Sequence, residues 1–151
     1  MPNSIKLPLP QKDLDFPLMK AFESKELRGR AAMALRYFKE PRVIKLLIGA
    51  LHDQDAYIRS VSAEALGEIG DKQAVDPIIE FLNDKINRGK PQVSAAVALG
   101  DLGGKKATAA LLKSLRSEYV YVREASARAL GKIGDPTAVD GIGDDCEYDI
   151  G

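Results

Sequence analysis

An internal repeat dominates this chain. Residues 64–75, EALGEIGDKQAV, are nearly rewritten at residues 128–139, RALGKIGDPTAV, 64 positions later. Two weaker copies complete the series, MALRYFKEPRVI from Met33 and VALGDLGGKKAT from Val97. Anchored on the Leu of each Ala-Leu pair, the copies stand at Leu35, Leu66, Leu99 and Leu130, spaced 31, 33 and 31 residues apart. A period near thirty points to stacked copies of one supersecondary unit, each burying its apolar face against its neighbours.

The letters around each anchor say what the unit is. Three positions before the Leu stand Ala32, Ala63, Ala96 and Ala127, directly before it Ala34, Ala65, Ala98 and Ala129, and three after it Phe38, Ile69, Leu102 and Ile133. Apolar residues at i, i+3 and i+6 define one helical face, and the alanine columns allow neighbouring helices to approach closely on both sides. This helix B follows a second apolar helix, A, in FPLMKAF, RVIKLLIGALH, AVDPIIEFLND and KATAALLKSLR. Pro17 and Pro77 are expected near first turns, where a missing N–H costs nothing. Gly70 and Gly134 mark helix ends, with Asp71 and Asp135 as N-caps of the next element. From each anchor to the end of the next A helix the distance is 16 residues every time, whereas the A-to-B distance varies from 13 to 17, the longest carrying NRGKP. The expected fold is all-α, an α-α superhelix of four helix pairs. Its units are about 16–39, 40–70, 71–103 and 104–134, preceded by a Pro-containing segment 1–15 and followed by an acidic, Gly-containing tail 135–151.

YIRSVSAEALGEIGDKQAVDPIIEFLND and YVREASARALGKIGDPTAV resemble HEAT repeats of the phycobilisome-lyase type, whose pattern runs V-R-x-x-A-A-x-A-L-G-x-I-G-D into an A-V-x-P-L helix. The resemblance covers residues 16 to 140. The first unit departs from it with Arg36 and Lys39 in place of the two glycines. The third departs with Pro91-Gln92 in place of Ile-Arg and Gly104 in place of Asp. The resemblance implies that Arg28, Arg59 and Arg123 bridge to turn acids of adjacent units. Asp53 and Asp84 match that role and Ser24 and Ser117 do not, so an incomplete ladder is expected. It also implies, as an alternative function, a subunit or chaperone-like relative of a bilin lyase acting on phycobiliproteins. The ankyrin alternative lacks its T-P-L-H turn, and a tetratricopeptide array would call for Trp where this chain has none.

Charge narrows the partners. The formal net charge is zero, but residues 135–151 carry six acids and no Lys or Arg, leaving 22 basic and 16 acidic residues before them. No apolar run approaches the ~18 residues of a membrane span, and Pro2, Pro8 and Pro10 interrupt the start where a signal peptide would be continuously apolar. A cytoplasmic protein without membrane contact is expected. The single cysteine, Cys146, cannot form an internal disulfide, and its acidic neighbours make it a poor nucleophile.

Motifs for chemistry are absent. GDLGGKKAT at residues 100–108 lacks the first Gly and the Ser/Thr of a phosphate-binding loop, having Leu99 and Lys106 there. His52 is the only histidine, and the repeated His-Glu pairs of metal-bearing HEAT-like hydroxylases are missing. The expectation is therefore a protein without catalytic residues, metal or cofactor, and not an enzyme. It should act as a non-catalytic scaffold or adaptor, with the bilin-lyase role as the alternative.

The binding surface is expected on the B helices. Positions −9, −6, −5, −2 and +2 from each anchor are free of packing, and they combine four basic and five acidic residues with Tyr, Met and Val. Nucleic-acid-binding solenoids need a single-sign basic stripe, so nucleic acid is not expected as a partner. Tyr and Arg with apolar neighbours suit a protein. The candidate groove comprises Arg30, Met33 and Tyr37 of the first unit, Tyr57, Val61 and Glu64 of the second, Val97 of the third, and Tyr121 and Arg128 of the fourth. The C-terminal edge, covered by a lid of Val139 and Ile142, by another protein or by a second copy of the chain, is the other candidate contact.

Overall fold

A computed structural model of the chain describes residues 11–134, with side-chain environments from residue 17 onward. Among these residues there are eight α-helices and no strand: α1 (Gln11–Phe22), α2 (Arg28–Leu35), α3 (Pro41–Ala50), α4 (Ala56–Ile69), α5 (Val75–Asn83), α6 (Lys90–Leu102), α7 (Lys105–Ser114) and α8 (Val120–Ile133). Two 3₁₀ turns, Lys72–Ala74 and Lys85–Asn87, flank α5. Odd and even helices pair within each unit, and the even helices stack α2 on α4 on α6 on α8. This is the expected solenoid, with all four anchor leucines almost wholly buried.

Local chemistry sets the helix ends. The Asp55 carboxylate accepts the Tyr57 N–H at 2.8 Å and starts α4. Gly70 and Gly134 close α4 and α8 at φ +79° and +69°, a left-handed conformation that suits glycine. Asp71 caps the 3₁₀ turn before α5 rather than α5 itself, by accepting the Gln73 N–H. Pro17 also differs from expectation. It lies inside α1, because that helix begins at Gln11, six residues before the proline.

The A helices supply the larger core side chains. Val43, Ile44 and Leu47 of α3, Ile78, Phe81 and Leu82 of α5 and Leu111 of α7 are buried. Each such side chain stabilises the fold by about 1.5–3 kcal/mol relative to full exposure. The B stack uses small residues instead. A Cβ on Gly67 would lie 2.6 Å from Ala98 Cα, and one on Gly100 would lie 2.8 Å from Ala129 Cβ, so the helices touch backbone to backbone. Ala32, Ala63 and Ala96 are inaccessible as the alanine columns predict, but Ala127 is exposed. Among the described residues nothing stacks beyond α8.

The arginine ladder is realised differently at each step. Arg28 Nη1 donates to Asp53 Oδ2 at 2.9 Å, as expected. Arg59 does not use Asp84. Its Nε donates to Asn87 Oδ1 at 2.8 Å and its Nη1 to the Asp53 carbonyl at 2.7 Å. The NRGKP insertion is the reason, since it swings Asn87 into the junction, where the side chain is buried and its Nδ2 donates to the Phe81 carbonyl at 3.0 Å. Asp84 turns away to cap the second 3₁₀ turn through the Ile86 N–H. Arg123 donates to the carbonyl of Ser117 at 2.7 Å.

Candidate functional site

A groove of about 980 Å³ crosses the B stack, reaching from Met33 on α2 over α4 and the start of α6 to Tyr121 on α8. Two tyrosines shape it. Tyr57, 56% exposed, lies over Gly29, where a Cβ would come within 2.7 Å of its ring, and its hydroxyl donates to Met33 Sδ at 3.7 Å. Tyr121, 41% exposed, rests its hydroxyl near Gly89, and its ring stands 5.5 Å from that of Tyr119. Val61 and Ser94 are buried. Glu64 Oε1 accepts the Ser94 hydroxyl at 2.7 Å, which ties α4 to α6 beneath the opening. Lys90, Pro91 and Val93 line the α6 side.

Five of the nine candidate residues meet here: Met33, Tyr57, Val61, Glu64 and Tyr121. The other four, Arg30, Tyr37, Val97 and Arg128, are exposed on B helices or, for Tyr37, just after α2, and none lines this groove. Tyr37 is engaged elsewhere. Its hydroxyl accepts from Arg36 Nη2 at 2.8 Å and its ring lies 4.9 Å from the same guanidinium. That hydrogen bond, and next the Glu68 carboxylate, raise the Arg36 pKa above its usual value. Ser60, Lys90, Val93 and Ser94 occupy free register positions but are small or generic side chains. Ala56 and Pro91 lie outside the register, and no sequence signal marks them.

The groove therefore presents largely apolar walls with two phenol hydroxyls, two serine hydroxyls, one carboxylate and one ammonium group. Among the described residues there is no cluster of three or more His, Cys, Asp or Glu side chains arranged to hold a metal. No helix among them is long and apolar enough to cross a membrane.

The family model for HEAT repeats matches residues 17–89 and 87–144. The chain belongs to the HEAT-repeat family. Among its relatives, the phycocyanobilin lyase subunit alpha of Nostoc sp. is 37% identical over 62% of this chain, and that of Picosynechococcus sp. 31% identical over 69%. A HEAT repeat-containing taxis protein of Halobacterium salinarum is 31% identical over 85% of this chain. This chain spans 36%, 42% and 36% of those three proteins. The complex of CpcE and CpcF of phycocyanin lyase from Nostoc sp. has the same fold. It superposes with a TM-score of 0.68 at 24% identity over 82% of this chain and 54% of that one.

These relatives correct one expectation. With no legible catalytic motif, the sequence predicts a chain that is not an enzyme. Several relatives are nevertheless named phycocyanobilin lyase subunits, and others bilin biosynthesis protein PecE. Motif absence is weak ground, because packing dictates most letters of a HEAT repeat and the groove side chains are individually common ones. The tail expectations, including the lid of Val139 and Ile142 and the site of Cys146, lie outside the described residues.

Proposed function

We propose that this chain is a phycobilin-lyase subunit, or a relative of one, and that the groove between Tyr57 and Tyr121 holds the bilin. The observation that carries the reading is the groove itself, which falls within the size range of small-molecule sites and combines apolar walls with a few polar groups. A bilin is an open-chain tetrapyrrole with a flat conjugated body, pyrrole N–H donors and two carboxylates. The tyrosine rings offer stacking surface, Glu64 an acceptor for pyrrole N–H groups, and Lys90 a cation for a carboxylate. Relatives named as lyase subunits support the reading, and this chain spans 36% and 42% of the length of two of them.

The exposed Met33, Tyr57, Val97 and Tyr121 side chains, together with the assembly of the similar CpcE with CpcF, favour a second reading, in which the groove receives a partner protein. Arg30, Tyr37, Val97 and Arg128 then extend the contact beyond the five groove residues. Co-expression of the chain with a bilin-producing pathway separates the two. A coloured protein after purification supports bilin holding, and a colourless one favours the second reading.

A further inference from the structure

The third junction of the solenoid lacks both halves of the bridge seen at the first. Seven positions before the anchors stand Arg28, Arg59, Gln92 and Arg123, and the matching turn positions of units two to four are Asp53, Asp84 and Ser117. At the first junction Arg28 meets Asp53. At the second Arg59 meets Asn87. At the third, Gln92 points back to its own turn, its Oε1 accepting the Gly89 N–H at 2.9 Å and its Nε2 donating to the Leu82 carbonyl at 3.0 Å. Ser117 Oγ accepts the Tyr119 N–H at 3.1 Å, and among the described residues no hydrogen bond joins Ser117 to the Gln92 side chain. Both residues line a cavity of about 260 Å³.

Its lining has gained cations where the acid was lost. Arg88 from the insertion and Lys113 near the end of α7 border the cavity, and among its described lining residues Glu118 is the only carboxylate. Among the described residues neither Arg88 nor Lys113 has a carboxylate partner. Like charges gathered at one site repel, and a bound anion relieves that repulsion while accepting charge-assisted hydrogen bonds. The cavity is slightly smaller than the usual range for whole small molecules and suits a single small group.

We propose that this cavity is an oxyanion site, receiving a phosphate or carboxylate group in the place that Asp53 fills at the first junction. It is a different cavity from the tyrosine groove and does not rest on the bilin reading.

The test is thermal unfolding and calorimetric titration of the full chain with sodium phosphate, sodium acetate and sodium chloride at matched ionic strength. Saturable binding with a rise in Tm is expected for phosphate or acetate beyond chloride. The stronger of the two assigns the group as phosphate or carboxylate. Arg88→Met with Lys113→Met should weaken binding about tenfold, since charged hydrogen bonds are removed. Ser117→Asp places a carboxylate within the chain, and should raise Tm in chloride and abolish the response to oxyanions. Circular dichroism checks that each variant keeps its helicity. Equal behaviour in all three salts overturns the proposal. So does an oxyanion response that persists unchanged in Ser117→Asp and the double variant, which would mark general salt stabilisation.

Discussion

Gly67 and Ala98 sit so close that a single methyl on Gly67 would come 2.6 Å from the Ala98 α-carbon. The B stack is therefore a backbone contact set by residue size. Gly67→Ala should destabilise the chain by about 1–3 kcal/mol, as overpacking does, and Gly100→Ala, facing Ala129, by a similar amount. Gly131 holds the same register on α8, but no described atom lies within 4 Å of a Cβ there. Gly131→Ala should be stabilising by up to about 1 kcal/mol through helix propensity alone. Urea unfolding of the three variants checks the ordering.

Ser62 and Ser126 occupy one repeat position, are wholly buried, and have hydroxyls without a hydrogen-bond partner among the described residues. Alanine stands there in the other two units, as Ala31 and Ala95. Removing a buried unpaired hydroxyl recovers its desolvation cost, about 1 kcal/mol or more. Ser62→Ala and Ser126→Ala should each raise the unfolding midpoint, and a fall would show that the hydroxyls are paired in solution.

Asn87 provides the side-chain oxygen that receives the buried Arg59 guanidinium. Asn87→Ala leaves that charge short of an acceptor and should cost about 2–3 kcal/mol. Asn87→Asp keeps the acceptor and adds an opposite charge, so it should retain most of the stability. The pair measured by denaturant unfolding separates loss of the acceptor from loss of the shape.

The solenoid is legible in the sequence because its period, alanine columns and anchor leucines are local signals, and the burial of Leu35, Leu66, Leu99 and Leu130 comes directly from them. The pairing of Arg28 with Asp53 comes instead from the resemblance to HEAT repeats, which implies it. Asn87 is not legible, because the insertion that carries it has no counterpart in the other units. Within the groove, Tyr57 and Tyr121 stand out as large side chains at free register positions. Pro91 and Ala56 line it only because of how α4 and α6 begin, and Arg30, Tyr37, Val97 and Arg128 share the surface without sharing the cavity. The resemblance to bilin-lyase HEAT repeats is legible in the second and fourth units, but no catalytic motif accompanies it.

Bilin binding between Tyr57 and Tyr121 can be measured directly by titrating the purified chain with phycocyanobilin, followed by visible absorption and induced circular dichroism, alongside the Tyr57→Ala, Tyr121→Ala variant. The prediction is a saturable spectral change in the wild type, and affinity at least about tenfold weaker in the variant at unchanged helicity, as for loss of a binding hot spot. An unperturbed bilin spectrum with the wild type, or equal affinity in both proteins, would contradict it.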